Sequence, residues 1–211
     1  MGRTSDADER LMAAALDLIW EESYGGVTID DICKRADVKK GSFYYFFESK
    51  AHLTVAALER LWRDDWKPKM DACFSPEVDP LERLLTYLDG IHLKHATSFA
   101  RTGKVLGCPA CSVGSEVCTQ EIDVSAKVRE IVGRKRRYFE SAIREAMAQG
   151  TIAQGDPVAK ALAFACFIEG AVSQARILND PEVLKSLRGP ALALLEAKQS
   201  PAAAAAPAVT R

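Results

Sequence analysis

The chain has 211 residues, with 28 Lys and Arg against 29 Asp and Glu for a formal charge of −1, and 48% of its residues are hydrophobic. Such a balance suits an ordinary soluble chain able to bury a sizeable core in one large or two small domains, and it excludes a bulk-basic nucleic-acid binder. No uninterrupted apolar run of about 18 residues occurs, the polar start from Met1 to Arg10 lacks the apolar core of a secretory signal, and six cysteines without such a signal argue against a disulfide scaffold. A reducing cytoplasm is the expected compartment, with no membrane partner.

Helical periodicity runs through the whole chain, with neither an alternating strand pattern nor a repeat. Leu11, Ala14, Ala15, Leu18 and Ile19 make one stripe of a first helix that ends near Tyr24-Gly25-Gly26. Thr28 is placed to cap a second helix with Ile29, Ile32, Cys33 and Ala36 inward. Asp37 stands at a turn, where a left-handed backbone tolerates Asp, and Val38 plugs the corner. A short third helix is predicted from about Lys39 to Phe46. Ser49 caps a fourth, with Val55, Leu58, Trp62 and Trp66 inward, and Pro68, Pro76 and Pro80 mark a loop after it. A fifth helix follows Asp79-Pro80. The stretch from Arg101 to Gly114 breaks the pattern, and helices are predicted over Asp123–Gln149, Asp156–Leu178 and Pro181–Ala197. The tail from 200 to 211 is low in complexity and is expected to be disordered.

The helix from Asp156 is apolar all round, so it needs cover on both sides. One side packs on its own core and the other on a second copy, with Leu184, Leu187, Leu192, Leu194 and Leu195 added to the same two-fold bundle. A central core helix of a monomer is the other reading of the same pattern.

Charge is distributed unevenly. The first fifty residues hold seven Lys and Arg against ten Asp and Glu, yet from Lys34 to Lys50 five cations face two acids. Lys39, Lys40 and Lys50 sit at helix starts, where the aligned peptide dipoles disfavour cations. Such placement becomes favourable when phosphate docks beside it. Gly41 permits close backbone approach, Ser42 can bond a phosphate or a base edge, and Tyr44 and Tyr45 offer hydroxyls at phosphate reach. Phe43 and Phe47 are expected to pack inward. These residues lay out a helix-turn-helix that reads a DNA major groove.

The pattern Thr-(x)7-Ala-x-Val-(x)2-Gly-Ser-Phe-Tyr-x-x-Phe-x-Ser-Lys from Thr28 to Lys50 resembles the signature of TetR/AcrR-type transcriptional regulators. The resemblance is sharp over the first fifty residues and architectural beyond them. It implies an all-α homodimer: an N-terminal three-helix helix-turn-helix domain over 1–50 and a larger helical ligand-binding and dimerisation domain over 51–199. It also implies a palindromic duplex operator as partner, with Thr28, Lys40, Ser42, Tyr44, Tyr45 and Lys50 as DNA contacts. Asp37 stands where a turn glycine is usual, Lys39 where a capping hydroxyl is usual, and Phe46 lacks a common hydroxyl.

A second informative segment is Gly107-Cys108-Pro-Ala-Cys111-Ser-Val-Gly-Ser-Glu-Val-Cys118. A lone Cys-x-x-Cys lacks the second pair of a zinc ribbon, so no metal and no cofactor is expected. A thiol switch fits better, because helix-start amides favour the thiolate and a neighbouring thiol resolves an oxidised one. Cys33, Cys73 and Cys166 read as inert core cysteines. The run also resembles a segment of the electrophile- and bleach-responsive members of the TetR/AcrR family. That resemblance implies Cys108 as sensor and Arg176 as a supporting cation. His92 and His95 are candidates to line a ligand cavity with Phe99 and Tyr138, while Arg134-Lys-Arg-Arg137 reads as a solvated face. The effector is therefore either thiol-reactive or a reversibly bound apolar molecule, acting on a regulator expected to repress. The reading from another class is a thiol-dependent oxidoreductase or peroxide-consuming enzyme using Cys108 and Cys111.

Overall fold

The computed structural model describes residues 6–198, and the tail read as disordered lies outside them. Among the described residues the chain is nearly all helical, with one isolated bridge between Ile152 and Ala197 and no strand. Helix α1 (Ala7–Glu21) buries Leu11, Ala14, Ala15, Leu18 and Ile19, the stripe read from the sequence. Helix α2 (Ile29–Ala36) opens on a reciprocal cap. The Thr28 hydroxyl accepts from the Asp31 amide at 3.2 Å, and the Asp31 carboxylate accepts from the Thr28 amide at 3.0 Å. Two of the donors that a helix start leaves unpaired are satisfied this way.

Asp37 ends α2 in the left-handed region, at φ 50° and ψ 50°. The Arg10 guanidinium donates to the carbonyls of Ala36 (2.8 Å) and Asp37 (3.1 Å), so α1 itself fixes the turn. Helix α3 (Lys40–Phe46) follows, then α4 (Lys50–Leu61), whose cap Ser49 accepts from the His52 amide.

The helix does not stop at Pro68, as the sequence suggests. A π-helical turn at Trp62–Trp66 leads into α5 (Lys67–Cys73), with Pro68 in its first turn. Proline is accommodated there because the ladder has just changed register, the Lys67 amide reaching back five residues to the Trp62 carbonyl in the π turn. Helix α6 (Pro80–Thr102) is capped by Asp79 and ends at Gly103, whose φ of 69° suits glycine. After a short extended stretch come α7 (Pro109–Val117), α8 (Ile122–Ala148) and α9 (Pro157–Leu178).

The last helix is also corrected. Instead of one run from Pro181 to Ala197 there is a 3-10 turn at Pro181–Leu184 and a short α10 (Arg188–Leu194). Pro190, lacking a donor, again sits in a first turn. The break rotates Leu184, Leu187 and Leu195 into the chain's own core, leaving Leu192 half-buried and Leu194 exposed. Only part of the leucine set therefore faces outward.

Helix α9 buries Ala161, Phe164, Ile168, Val172 and Ala175 and exposes Val158, Leu162, Cys166, Ile177 and Leu178. Cys166 lies on this outer face, not in the core. By length and mean hydropathy alone α9 would suit a membrane span, but one side packs on the core and it carries Lys160, Glu169 and Arg176.

Two apolar clusters hold the molecule. One joins α1–α4 and the π turn to α7 and the first half of α8, through Ala110, Val113, Val117, Val124, Val128 and Ile131. The other gathers α5, α6, the second half of α8, α9 and α10. Cys108 and Tyr138 pack against both.

Candidate functional site

The outer surface of α3 is built by a division of labour among neighbouring residues. Phe43 is fully buried and Phe47 nearly so, anchoring the helix on α1, while Lys39, Lys40, Gly41, Ser42, Tyr44 and Tyr45 are all exposed. Tyr45 is 82% exposed, although apolar burial alone would turn an aromatic inward. No Cβ added at Gly41 would meet anything within 4 Å, so its surroundings leave room for a close approach. Lys40 pairs with Asp30 at 2.8 Å in an exposed contact. Lys50 is less free. Its ammonium donates to the carbonyls of Tyr24 (2.8 Å) and Val27 (2.9 Å) and lies 4.2 Å from the Tyr24 ring centroid. It thus ties the α1–α2 loop to the start of α4, next to the exposed Thr28.

The second centre is a cavity of about 550 Å³ between α6, α8, α9 and the loop before α7. Its walls are mostly apolar, with Trp66, Met70, Ile168 and Val172 among them, and exposed Lys69, Leu93, Lys94 and Thr97 stand at its rim. Cys108, His95, Lys135 and Glu169 reach into it. Cys108 precedes Pro109 at the start of α7, and Cys111 lies one turn on. The Lys135 ammonium donates to the Cys108 sulfur at 3.8 Å and sits 3.9 Å from the Trp66 ring centroid.

The charges there are linked. Hydrogen bonding from Cys111 to its sulfur holds the Cys108 thiol well below its ordinary value; burial opposes this and the Lys135 charge assists it. Cys111 is pushed up by the same bond and by burial, so the two thiols titrate as a linked pair. Burial works against the charge of Lys135, but the negative groups around it, Cys108 first, keep it protonated. Glu169 is raised to about 7 by burial and then by the Cys108 charge. His95 falls to about 4, through burial and then the Lys94 charge.

Several sequence-level expectations change here. Lys135 does not belong to a solvated face; it is the cation at Cys108. Arg134 is likewise occupied, by Glu59 at 2.9 Å. Arg176 donates to the Ser112 hydroxyl at 2.6 Å and its Cδ lies against Gly107, so it braces the cysteine loop through its backbone and α7. His95 lines the cavity, but His92 turns toward Glu182, 3.6 Å away in the 3-10 turn, since it lies on the other flank of α6. Phe99 and Tyr138 also stand off the cavity wall; Tyr138 bonds Asp71 instead. Cys118 closes α7 at its far end and does not join the thiol pair. Glu169 was missed because a single acid in an apolar helix gives no spacing signal. An isolated charge in an otherwise apolar run was nevertheless a cue to a functional group.

The two centres are wired together through α7. The Trp20 indole donates to the carbonyl of Gly107 at 3.0 Å. Glu116, on α7, accepts from the amides of Tyr24 (2.8 Å) and Gly25 (2.7 Å) in the loop that leads to α2.

Residues 11–57 match the family described as bacterial regulatory proteins, tetR family, and residues 80–189 match a tetracyclin repressor-like C-terminal domain. The transcriptional regulator AcuR of Cereibacter sphaeroides is 31% identical over 85% of this chain and 81% of its own length. The HTH-type transcriptional repressor NemR of Escherichia coli strain K12 is 27% identical over 86% of this chain and 89% of its own length. Among solved structures, regulatory protein TetR from Rhodobacter sphaeroides aligns with a TM-score of 0.77 at 31% identity, covering 89% of this chain and 99% of that one. The reduced form of NemR from E. coli aligns with a TM-score of 0.78 at 23% identity, covering 93% and 100%, a likeness of fold.

Proposed function

Because the chain belongs to the TetR family of bacterial regulatory proteins, we propose that it is a homodimeric repressor that leaves a palindromic operator when an electrophile is captured at Cys108. Two copies joined along the exposed apolar faces of α9 and α10 would present two α3 helices to successive major grooves. Thr28, Lys39, Lys40, Gly41, Ser42, Tyr44 and Tyr45 would meet the duplex. Lys50 would contribute mainly by holding the loop that presents Thr28. The domain division follows the same line, with DNA reading before residue 50 and dimerisation and effector binding after it.

One observation carries the effector reading: the Cys108 sulfur lies at the seam of the two apolar clusters, inside a cavity and beside the Lys135 ammonium. A thiolate is the reactive form of cysteine, and a neighbouring cation favours it. In capture, the sulfur donates its electron pair to an electrophilic carbon, forming an S–C bond as a carbon–carbon double bond opens. The α-carbon then takes a proton from solvent. The new bulk stands at the first turn of α7, whose Glu116 anchors the α1–α2 loop. A shift of α7 would be passed to α2 and α3 and alter the spacing of the two reading heads. Such a coupling is worth a few kcal/mol in regulators of this kind.

The test is operator retention against N-ethylmaleimide for the wild type and Cys108→Ser. The expected result is release of the wild type and continued retention of the variant. If the variant is released equally, capture occurs at another of the free cysteines and Cys108 is not the sensor.

A further inference from the structure

The thiol pair and Glu169 form a constellation that DNA release does not require. Sγ of Cys108, Sγ of Cys111 and a carboxylate oxygen of Glu169 all lie within 4.8 Å of one another. They come from the first turn of α7 and the middle of α9, two helices that Arg176 braces together through Ser112. A tetrahedral ion held at about 2.3 Å from each sulfur would set the two sulfurs roughly 3.8 Å apart, so these atoms need only small side-chain adjustments to close on one.

We propose that Cys108, Cys111 and Glu169 bind a thiophilic divalent ion of the zinc class, with the fourth position open to the cavity. Two sulfurs and one oxygen suit a borderline-soft ion and disfavour magnesium or calcium. Charge supports the assignment. Two thiolates and a carboxylate offset the ion together with one neighbouring cation, and the half-buried Lys135, 3.8 Å from the Cys108 sulfur, is that cation. Its hydrogen bond to the Cys108 sulfur is the kind of outer contact that orients a metal-bound thiolate. Binding requires the ligand atoms to be deprotonated, and any protons displaced pass to solvent. Both Cys108 and Glu169 face the cavity, so the open position is reachable by water or by a small anionic ligand. This goes beyond the operator-release reading and does not rest on it: the site would hold its ion in the absence of DNA and of any electrophile.

The experiment is titration of the reduced full-length protein with Co²⁺, followed by displacement with Zn²⁺, read by absorption. The expected result is a thiolate-to-cobalt charge-transfer band saturating at about one ion per chain, together with tetrahedral d–d bands, both lost on adding Zn²⁺. Cys111→Ser should remove the band. Glu169→Gln, which keeps the shape and removes the charge, should weaken Co²⁺ binding at least tenfold. Cys118→Ser and Cys166→Ser should leave it unchanged. Absence of the band in the wild type overturns the proposal. So does a band that survives Cys111→Ser and Glu169→Gln, or one that disappears with Cys118→Ser. Circular dichroism of each variant separates loss of binding from loss of fold, and Zn²⁺ should raise the melting temperature of the wild type but not of Cys111→Ser.

Discussion

The α3 surface and the cysteine cavity are assembled by opposite strategies. The first takes its chemistry from consecutive residues: between Lys39 and Tyr45 every side chain but Phe43 is exposed. The second takes one residue or two from each of several elements: His95 from α6, Cys108 and Cys111 from the start of α7, Lys135 from α8 and Glu169 from α9. A surface made locally can lose one member and keep the rest. A half-buried centre gathered from several elements cannot, because its charges are linked to one another. Single substitutions should separate the two strategies, and the largest change is expected at the root of α3.

Local assembly still needs an anchor. Phe43 is fully buried and its ring meets Phe47 with centroids 6.0 Å apart. Phe43→Ala should cost about 3–5 kcal/mol through the apolar area it exposes and the void it leaves, read as a fall in the denaturation midpoint. A cost under about 1 kcal/mol would mean that α3 is positioned by its turns and not by its aromatic root.

For the cavity, the sharpest probe is pH. His95 is nearly fully buried and its ring titrates at about 4, because burial and then the Lys94 charge oppose its protonation. The unfolded chain takes up this proton at about 6.5, so between these values it binds more protons than the folded chain. Stability therefore falls as pH drops through that window, and the effect vanishes above about 7. The full penalty is on the order of 3 kcal/mol by pH 4. His95→Gln should flatten the pH profile relative to the wild type. Parallel profiles would show that the ring is not desolvated as the geometry implies.

The same contrast explains what could be read in advance. Thr28 and Ser49 accept from amides three residues on, and Asp37 takes the left-handed backbone that ends α2, so their roles as caps and turn follow from order along the chain. That α9 needs cover was legible from its apolar residues, but which side turns to the core was not, because the run is apolar all round. Lys135 was not. It sits in a run of four cations that looks solvated, and only the packing of α8 against α7 turns one of the four inward. Glu169 was hidden for the same reason, since its partners Cys108 and Cys111 lie far earlier in the chain. A local rule also fails at Pro68, where proline reads as the end of a helix but the chain stays helical through a π turn into α5; at Pro190 the run read as one helix breaks instead, with the proline in the first turn of α10.

A smaller effect is expected at Thr28, whose hydroxyl both caps α2 and faces outward beside α3. Thr28→Ala should destabilise by about 1 kcal/mol, the usual worth of such a cap. Thr28→Ser should restore the stability and, if the exposed hydroxyl meets phosphate, operator affinity with it. Restored stability without restored affinity would point to a DNA contact made by the methyl group.

The subtlest test concerns Lys40, because its removal should be invisible to folding. The ammonium is held by Asp30 at 2.8 Å, and both partners are more than half exposed. Water screens a pair of this kind, so Lys40→Ala should leave the melting temperature unchanged. Its effect should appear only with DNA. Removing one phosphate-neutralising cation lowers the slope of log affinity against log salt by about 0.9, and the operator's base preferences should stay as they were. Asp30→Asn tests the same pair from the other side: it frees Lys40 and removes an acid near the duplex, so affinity should rise most at low salt. If Lys40→Ala lowers the melting temperature and leaves the salt slope intact, Asp30 and not phosphate is the partner for which this lysine is placed. The α3 surface would then share the mutual dependence of the cavity, and the contrast between the two regions would fail at this residue.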